Sequence, residues 1–163
     1  MIDGRWPRPR RRHFLTAGGA ALLAASIVPR ATSAQTAPVE VSSHYTAARA
    51  ALLAGRKAGV GRVSLDVPRL AESGNSVSLK VAVVSPMSPA DHVTAVHILS
   101  EQNPVAVIGK FRFGPRSGRA EISTNIRLAT TQYVHAIAEM SDGSVWEASG
   151  EVVVLIAACL DGA

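Results

Sequence analysis

The chain has 163 residues, 47% of them hydrophobic and only 4% aromatic, with a formal net charge of +5. That length suits one domain with an aliphatic core, and so apolar a chain with 18% charged residues is not intrinsically disordered. A basic balance points to nucleic acid or a membrane surface only if the charge belongs to the folded part.

The charge is concentrated at the N-terminus. Arg5, Arg8, Arg10, Arg11, Arg12 and Arg30 fall in the first 34 residues, where Asp3 is the only acid. Arg11-Arg12-His13-Phe14-Leu15-Thr16 leads into an apolar run from Ala17 to Val28, then Pro29-Arg30 and a small-residue site, Thr32-Ser33-Ala34. This is the layout of an export signal. Its 12-residue apolar run is shorter than the roughly 20 residues a membrane span needs. Arg11-Arg12 followed by x-Phe-Leu resembles a twin-arginine (Tat) signal, which exports folded proteins; a basic Sec-type signal that contains Arg-Arg is the other reading. Taking the six basic residues and Asp3 from totals of 17 and 12 leaves eleven of each sign in residues 35–163. The expected mature protein is neutral and periplasmic, with no membrane span and no nucleic-acid partner.

Residues 35–61 read as a linker and a helix. Gln35 to Val41 contains Pro38 as a breaker, Ser42 or Ser43 can cap a helix from His44 to Ala54, and Gly55 is the expected stop. Gly59 and Gly61 mark a loop. From Arg62 the period changes to two: Val63, Leu65 and Val67, then Val77, Leu79, Val81 and Val83 after a turn at Ser73-Gly74-Asn75. Ser85-Pro86-Met87-Ser88-Pro89 interrupts, Val93 to Gln102 resumes, and Asn103-Pro104 ends that strand. Val105 to Phe113 and Ala120 to Leu128 follow. Gln132 to Met140 and Ser144 to Ile156 flank Asp142-Gly143, a hairpin turn signal. Seven strands joined by turns predict an all-β fold over 62–156: an antiparallel β-sandwich of immunoglobulin-like architecture. The apolar run Val152 to Ile156 fits either the core or a subunit interface.

Conventional catalytic motifs are absent. There is no Gly-rich phosphate loop, no Cys-x-x-Cys and no His-Glu-x-x-His. His92 and His97 fall on opposite faces of a strand, which is poor geometry for a shared metal. His97 and His135 could meet across strands, or each be a satisfied half-buried histidine. Glu101, Glu121, Glu139, Glu147 and Glu151 read as a solvated surface. No enzyme site, metal or cofactor is expected.

Cys159 is the single cysteine. It sits on a tail, residues 157–163, just past the last strand, where a thiol can be offered to another protein's cleft. An unimportant terminal thiol and an intermolecular disulfide are the alternatives.

Several runs resemble the SoxY sulfur-carrier family. They are Ser85-Pro86-Met87 with Asp91-His92-Val93, His97, Glu101 and Asn103-Pro104; Phe111-Arg112-Phe113-Gly114-Pro115; Ile126-Arg127-Leu128-Ala129; and Ala138-Glu139-Met140-Ser141-Asp142-Gly143-Ser144-Val145-Trp146, the most specific. The resemblance implies an immunoglobulin-like sandwich, a SoxZ-like subunit as heterodimer partner, and periplasmic sulfur-oxidising enzymes as clients. It also implies a covalent sulfur species, as cargo, on Cys159. The arm departs from the family's Gly-Gly-Cys-Gly-Gly: Ala157 and Ala158 precede the cysteine, and Leu160 and Asp161 follow. This looks like the SoxY-related group with an Ala-Ala-Cys-Ile-Glu arm. Alanines stiffen the arm, Leu160 adds bulk, and Asp161 disfavours the thiolate. Such an arm is expected to serve a more open partner site.

Overall fold

The period-two runs fold as two packed sheets in a computed structural model that describes residues 41–158. The expected leader with Arg11 and Arg12 lies outside the described residues, as do 35–40 of the linker and Cys159, Leu160 and Asp161.

The smaller sheet is antiparallel throughout, ordered β2 (Val63–Asp66), β4 (Val77–Val83), β7 (Ala120–Ile126). In β4, Val77, Leu79, Val81 and Val83 are buried while Ser78 and Lys80 face solvent, the alternation of a strand with one wet face. The larger sheet runs β1 (Ala58–Gly59), β9 (Val145–Ile156), β8 (Gln132–Met140), β5 (Val93–Ser100), β6 (Val107–Arg112). A further strand, β3 (Leu70–Ser73), also pairs with β9. Between the sheets lies an aliphatic core built on β4, β5, β7 and β8, with Leu79, Val96, Ile98, Val134, Ala136, Ala138 and Val152 at its centre. Fully burying each Val, Leu or Ile side chain contributes about 1.5–3 kcal/mol.

Two strands escape the sequence pattern. Both β1 and β3 run parallel to β9, where Gly59 had read as loop and Ser73 as the start of a turn. They are two and four residues long, too short to show a period. β3 lines the C-terminal half of β9, Leu70 opposite Val153 and Ser73 opposite Ile156, and so pairs an edge that would otherwise be open. The expected strands over 93–102 and 120–128 are trimmed at their C-terminal ends and that over 105–113 at both ends, and 132–140 is as expected.

Helix α1 spans Ser43–Leu53, with Ser42 as N-cap accepting from the Tyr45 N–H. The left-handed stop is Ala54 itself, φ 48°, one residue before the expected Gly55. Tyr45, Ala48, Leu52 and Leu53 lie over Leu99, Ala106, Ile137 and Val145, on the outer face of the larger sheet. That second apolar cluster explains why β5 is buried from Ala95 through Ser100 rather than alternating.

Candidate functional site: the root of the C-terminal arm

β9 leaves the sandwich gradually. Val152 is fully buried and Val154 packs against the core, whereas Leu155 and Ile156 are about two-thirds exposed (64% and 66%). The apolar run that fitted either core or interface is therefore divided: Val152 and Val154 go to the core, and Val153, Leu155 and Ile156 are exposed. Beyond the strand Ala157 is exposed, but Ala158 is buried.

Three segments meet at Ala158. Its N–H donates to Leu128 O at 3.2 Å, the Leu128 N–H donates to Gly74 O at 2.8 Å, and the Gly74 N–H donates to Ile156 O at 2.8 Å. Only glycine fits at position 74: a Cβ there would stand 2.9 Å from the Ala158 nitrogen and would overlap Leu128 O. The loop carrying Leu128 is held from within. Asn103 Nδ2 donates to Arg127 O (2.9 Å), and Asn103 Oδ1 accepts from the Ala129 N–H (3.0 Å) and from Gln132 Nε2 (2.9 Å). Gln132 Oε1 accepts from the Gln102 N–H at 2.8 Å, and Thr131 Oγ1 accepts from the Val154 N–H at 3.0 Å. Asn103 and Gln132 are both buried, so their amides must be bonded, and here they are.

Of the arm residues singled out from sequence, Ala157 and Ala158 are at this root, and Cys159, Leu160 and Asp161 follow outside the described residues. Gly74, Asn103, Leu128 and Gln132 were not anticipated there. Asn103-Pro104 and Ser73-Gly74-Asn75 carry the signal only as breakers, because a pattern of hydropathy does not reveal which carbonyl an amide will reach.

The histidines and acids are arranged differently from expectation. His97 and His135 do not join; in register they face Ile137 and Leu99 across β5 and β8. His135 lies between two carboxylates, Nε2 2.9 Å from Glu101 Oε1 and Nδ1 3.1 Å from Glu147 Oε1, with the Tyr45 ring 4.9 Å away. Glu147 also receives Arg49 of α1 in a two-point pair at 2.5 and 3.2 Å. Arg56 donates to Glu139 at 3.1 Å, to the Leu52 and Leu53 carbonyls at the end of α1, and to Gly143 O. His97 Nε2 is 3.4 Å from Glu139 Oε2, an ion-pair distance, but without hydrogen-bond geometry.

Glu101, Glu139 and Glu147 are thus not a solvated surface, a correction whose cause is α1: it covers the outer face of the sheet and brings Arg49, with Arg56 just beyond it. Glu121 and Glu151 do face solvent. Burial pushes the Tyr45 hydroxyl up to about 12, reinforced by Glu147. Burial is the largest influence on the Glu147 and Glu139 carboxyls and raises both. The hydrogen bonds and charges of their partners, Arg49 and His135 for Glu147 and Arg56 and His97 for Glu139, together outweigh it and hold both below the usual carboxylate range. His97 is lowered, by burial, against the pull of Glu139. The cluster fastens a helix. Among the described residues no group of three or more His, Cys, Asp or Glu is placed to hold a metal ion, and no helix is long and apolar enough to cross a membrane.

Two sheets packed face to face, with a helix on the outer face of the larger, make this an immunoglobulin-like β-sandwich protein. A superoxide reductase (neelaredoxin) from Ignicoccus hospitalis aligns with a TM-score of 0.51 and 18% identity, over 58% of this chain and 80% of that one, and shares the fold. The sulfur carrier protein SoxY from Chlorobium limicola f thiosulfatophilum aligns with a TM-score of 0.57 and 25% identity, over 68% of this chain and 96% of that one. The family model for the sulfur oxidation protein SoxY matches residues 49–159, and the chain belongs to that family. A search among curated proteins finds no significant match.

Proposed function

We propose that the chain is a non-catalytic carrier of sulfur intermediates, with Cys159 as the covalent attachment point. The observation that carries this reading is the extent of the family match, which runs through the domain and the arm root and ends on Cys159. A thiol can hold sulfur as a persulfide or an S-thiosulfonate, and neither needs a metal or cofactor on the carrier. Residues 1–34 act as a Tat-type leader and the protein works in the periplasm, where the sandwich bears residues 157–163 as the arm. Its arm belongs to the Ala-Ala-Cys type.

A SoxZ-like subunit is the partner. It docks on the outer face of the larger sheet beyond α1, where Leu70, Tyr133, Val153 and Leu155 are exposed. An uncovered apolar patch of this kind suits a subunit interface. Sulfur-oxidising enzymes of the same compartment load and unload the thiol.

In cells where this chain is the sole SoxY-family protein, Cys159→Ser should lower thiosulfate-dependent oxygen uptake about tenfold or more, since removing the attachment point removes the chemistry. Undiminished uptake would contradict the reading.

A further inference from the structure

The two edges of the larger sheet differ. At one, β1 and β3 pair with β9; the other ends on β6, which pairs only with β5. The Phe113 N–H donates to Thr94 O of β5 at 3.0 Å, so Phe113 and, by alternation, Phe111 turn their backbone groups toward β5. Lys110 and Arg112 therefore turn their N–H and C=O groups outward, and neither makes a backbone hydrogen bond across that edge among the described residues. Such an edge offers donors and acceptors, at strand spacing, to another extended chain.

The side chains decide which chain. The stretch from Gln102 to Ala120 holds Lys110, Arg112, Arg116 and Arg119 and no acid. Lys110 and Arg112 are exposed and, two residues apart on one strand, share a face. Among the described residues neither they nor Arg116 make an ion pair. The acids of neighbouring segments have their own cations: Glu139 has Arg56 at 3.1 Å, Asp91 has Arg62 at 3.6 Å and Glu121 has Arg119 at 3.8 Å. Cations on an edge strand oppose pairing with a second copy, where like charges would stand opposite each other, and favour an acidic strand.

We propose that the β6 edge binds an extended acidic segment of a partner protein, added antiparallel as a further strand of the larger sheet. Two acidic residues, one position apart from adjacent, exchange both backbone bonds with Lys110 and Arg112. Directly opposite residues share a face, so the two carboxylates meet the two cations. Nucleic acid and anionic lipid offer charge but no strand backbone for these groups. The site is also far from the arm. Arg112 is level with Ala95, Glu139 and Val145, the first residue of β9, whereas the arm follows Ile156, the last. At about 3.3 Å per residue, a partner docked there is roughly 35 Å from the arm root and leaves it unobstructed. The proposal is independent of what the arm carries.

The probe is a peptide of about eight residues alternating glutamate and threonine, titrated into the protein at low salt. Hydrogen exchange at the Lys110 and Arg112 amides should slow about tenfold or more at saturation, because both become bonded, while exchange in β7 at the edge of the smaller sheet stays as it was. A peptide of the same composition with its glutamates in one block should bind about tenfold more weakly, as should the alternating peptide methylated on its glutamate nitrogens. Lys110→Glu combined with Arg112→Glu, both exposed positions, should also weaken binding about tenfold or more while the protein stays folded. Exchange at Lys110 and Arg112 that is not slowed, or equal binding of the block peptide, overturns the proposal. Tighter binding to phosphatidylglycerol vesicles or duplex DNA than to the alternating peptide also overturns it.

Discussion

At one end of the larger sheet's outer face, α1 lays Tyr45, Leu52 and Leu53 over Leu99, Ile137 and Val145, and Arg49 and Arg56 pin it to Glu147 and Glu139. At the other end Leu70, Val153 and Leu155 stand exposed, and the chain is held by backbone hydrogen bonds to Leu128 and Gly74. The covered end depends on side-chain packing and charge, so its strength should vary with cavity size and pH. The arm end depends on close backbone approach, so it should be sensitive to a single methyl group and indifferent to pH.

The largest effect should come from the covered end. Ile137 is fully buried beneath α1, and Ile137→Ala should cost about 2–5 kcal/mol through the cavity it leaves; chemical denaturation gives the value. Gly74→Ala comes next, at about 1–3 kcal/mol, because the methyl group must displace Leu128 O or Ala158 N. Its signature is local: hydrogen exchange at the Ala158 amide should quicken more than at amides of β4.

Acid should loosen the covered end first. His97 has a lowered folded value, so the protein is most stable above the ordinary 6.5 and loses that contribution as pH falls through the folded value. Glu139 and Glu147 are also lowered, so their contribution is present above the ordinary 4.5 and is lost below it. All three act in the same direction. The urea midpoint should fall from pH 7 to pH 4, and His97→Leu should flatten the first part of the decline. The smallest stability effect belongs to the bare end: Leu155→Lys is exposed and should change stability by less than about 0.5 kcal/mol. It should nonetheless weaken association with a SoxZ-like subunit about tenfold in titration calorimetry, by placing a charge in an apolar contact.

The sandwich was legible because long strands announce themselves: Val77 to Val83 and Gln132 to Met140 alternate or run apolar over most of their length. The short parallel strands were not, since β1 and β3 exist through their pairing with β9 and not through any pattern of their own. The acids Glu101, Glu139 and Glu147 misled for a related reason. On a strand their spacing marks an outward face, and only the placement of α1 turns that face inward. The arm itself stood out as a lone cysteine after an apolar strand, whereas its seat did not, because Gly74, Asn103 and Leu128 are brought together from segments far apart in the chain.

The most direct test is the intact mass of the protein recovered from the exported compartment without reductant. The carrier account predicts mature chain carrying a mass increase of sulfur or thiosulfate size, removed by thiols and missing in Cys159→Ser. Recovery of only unmodified chain, or only of a disulfide-linked dimer, would contradict it.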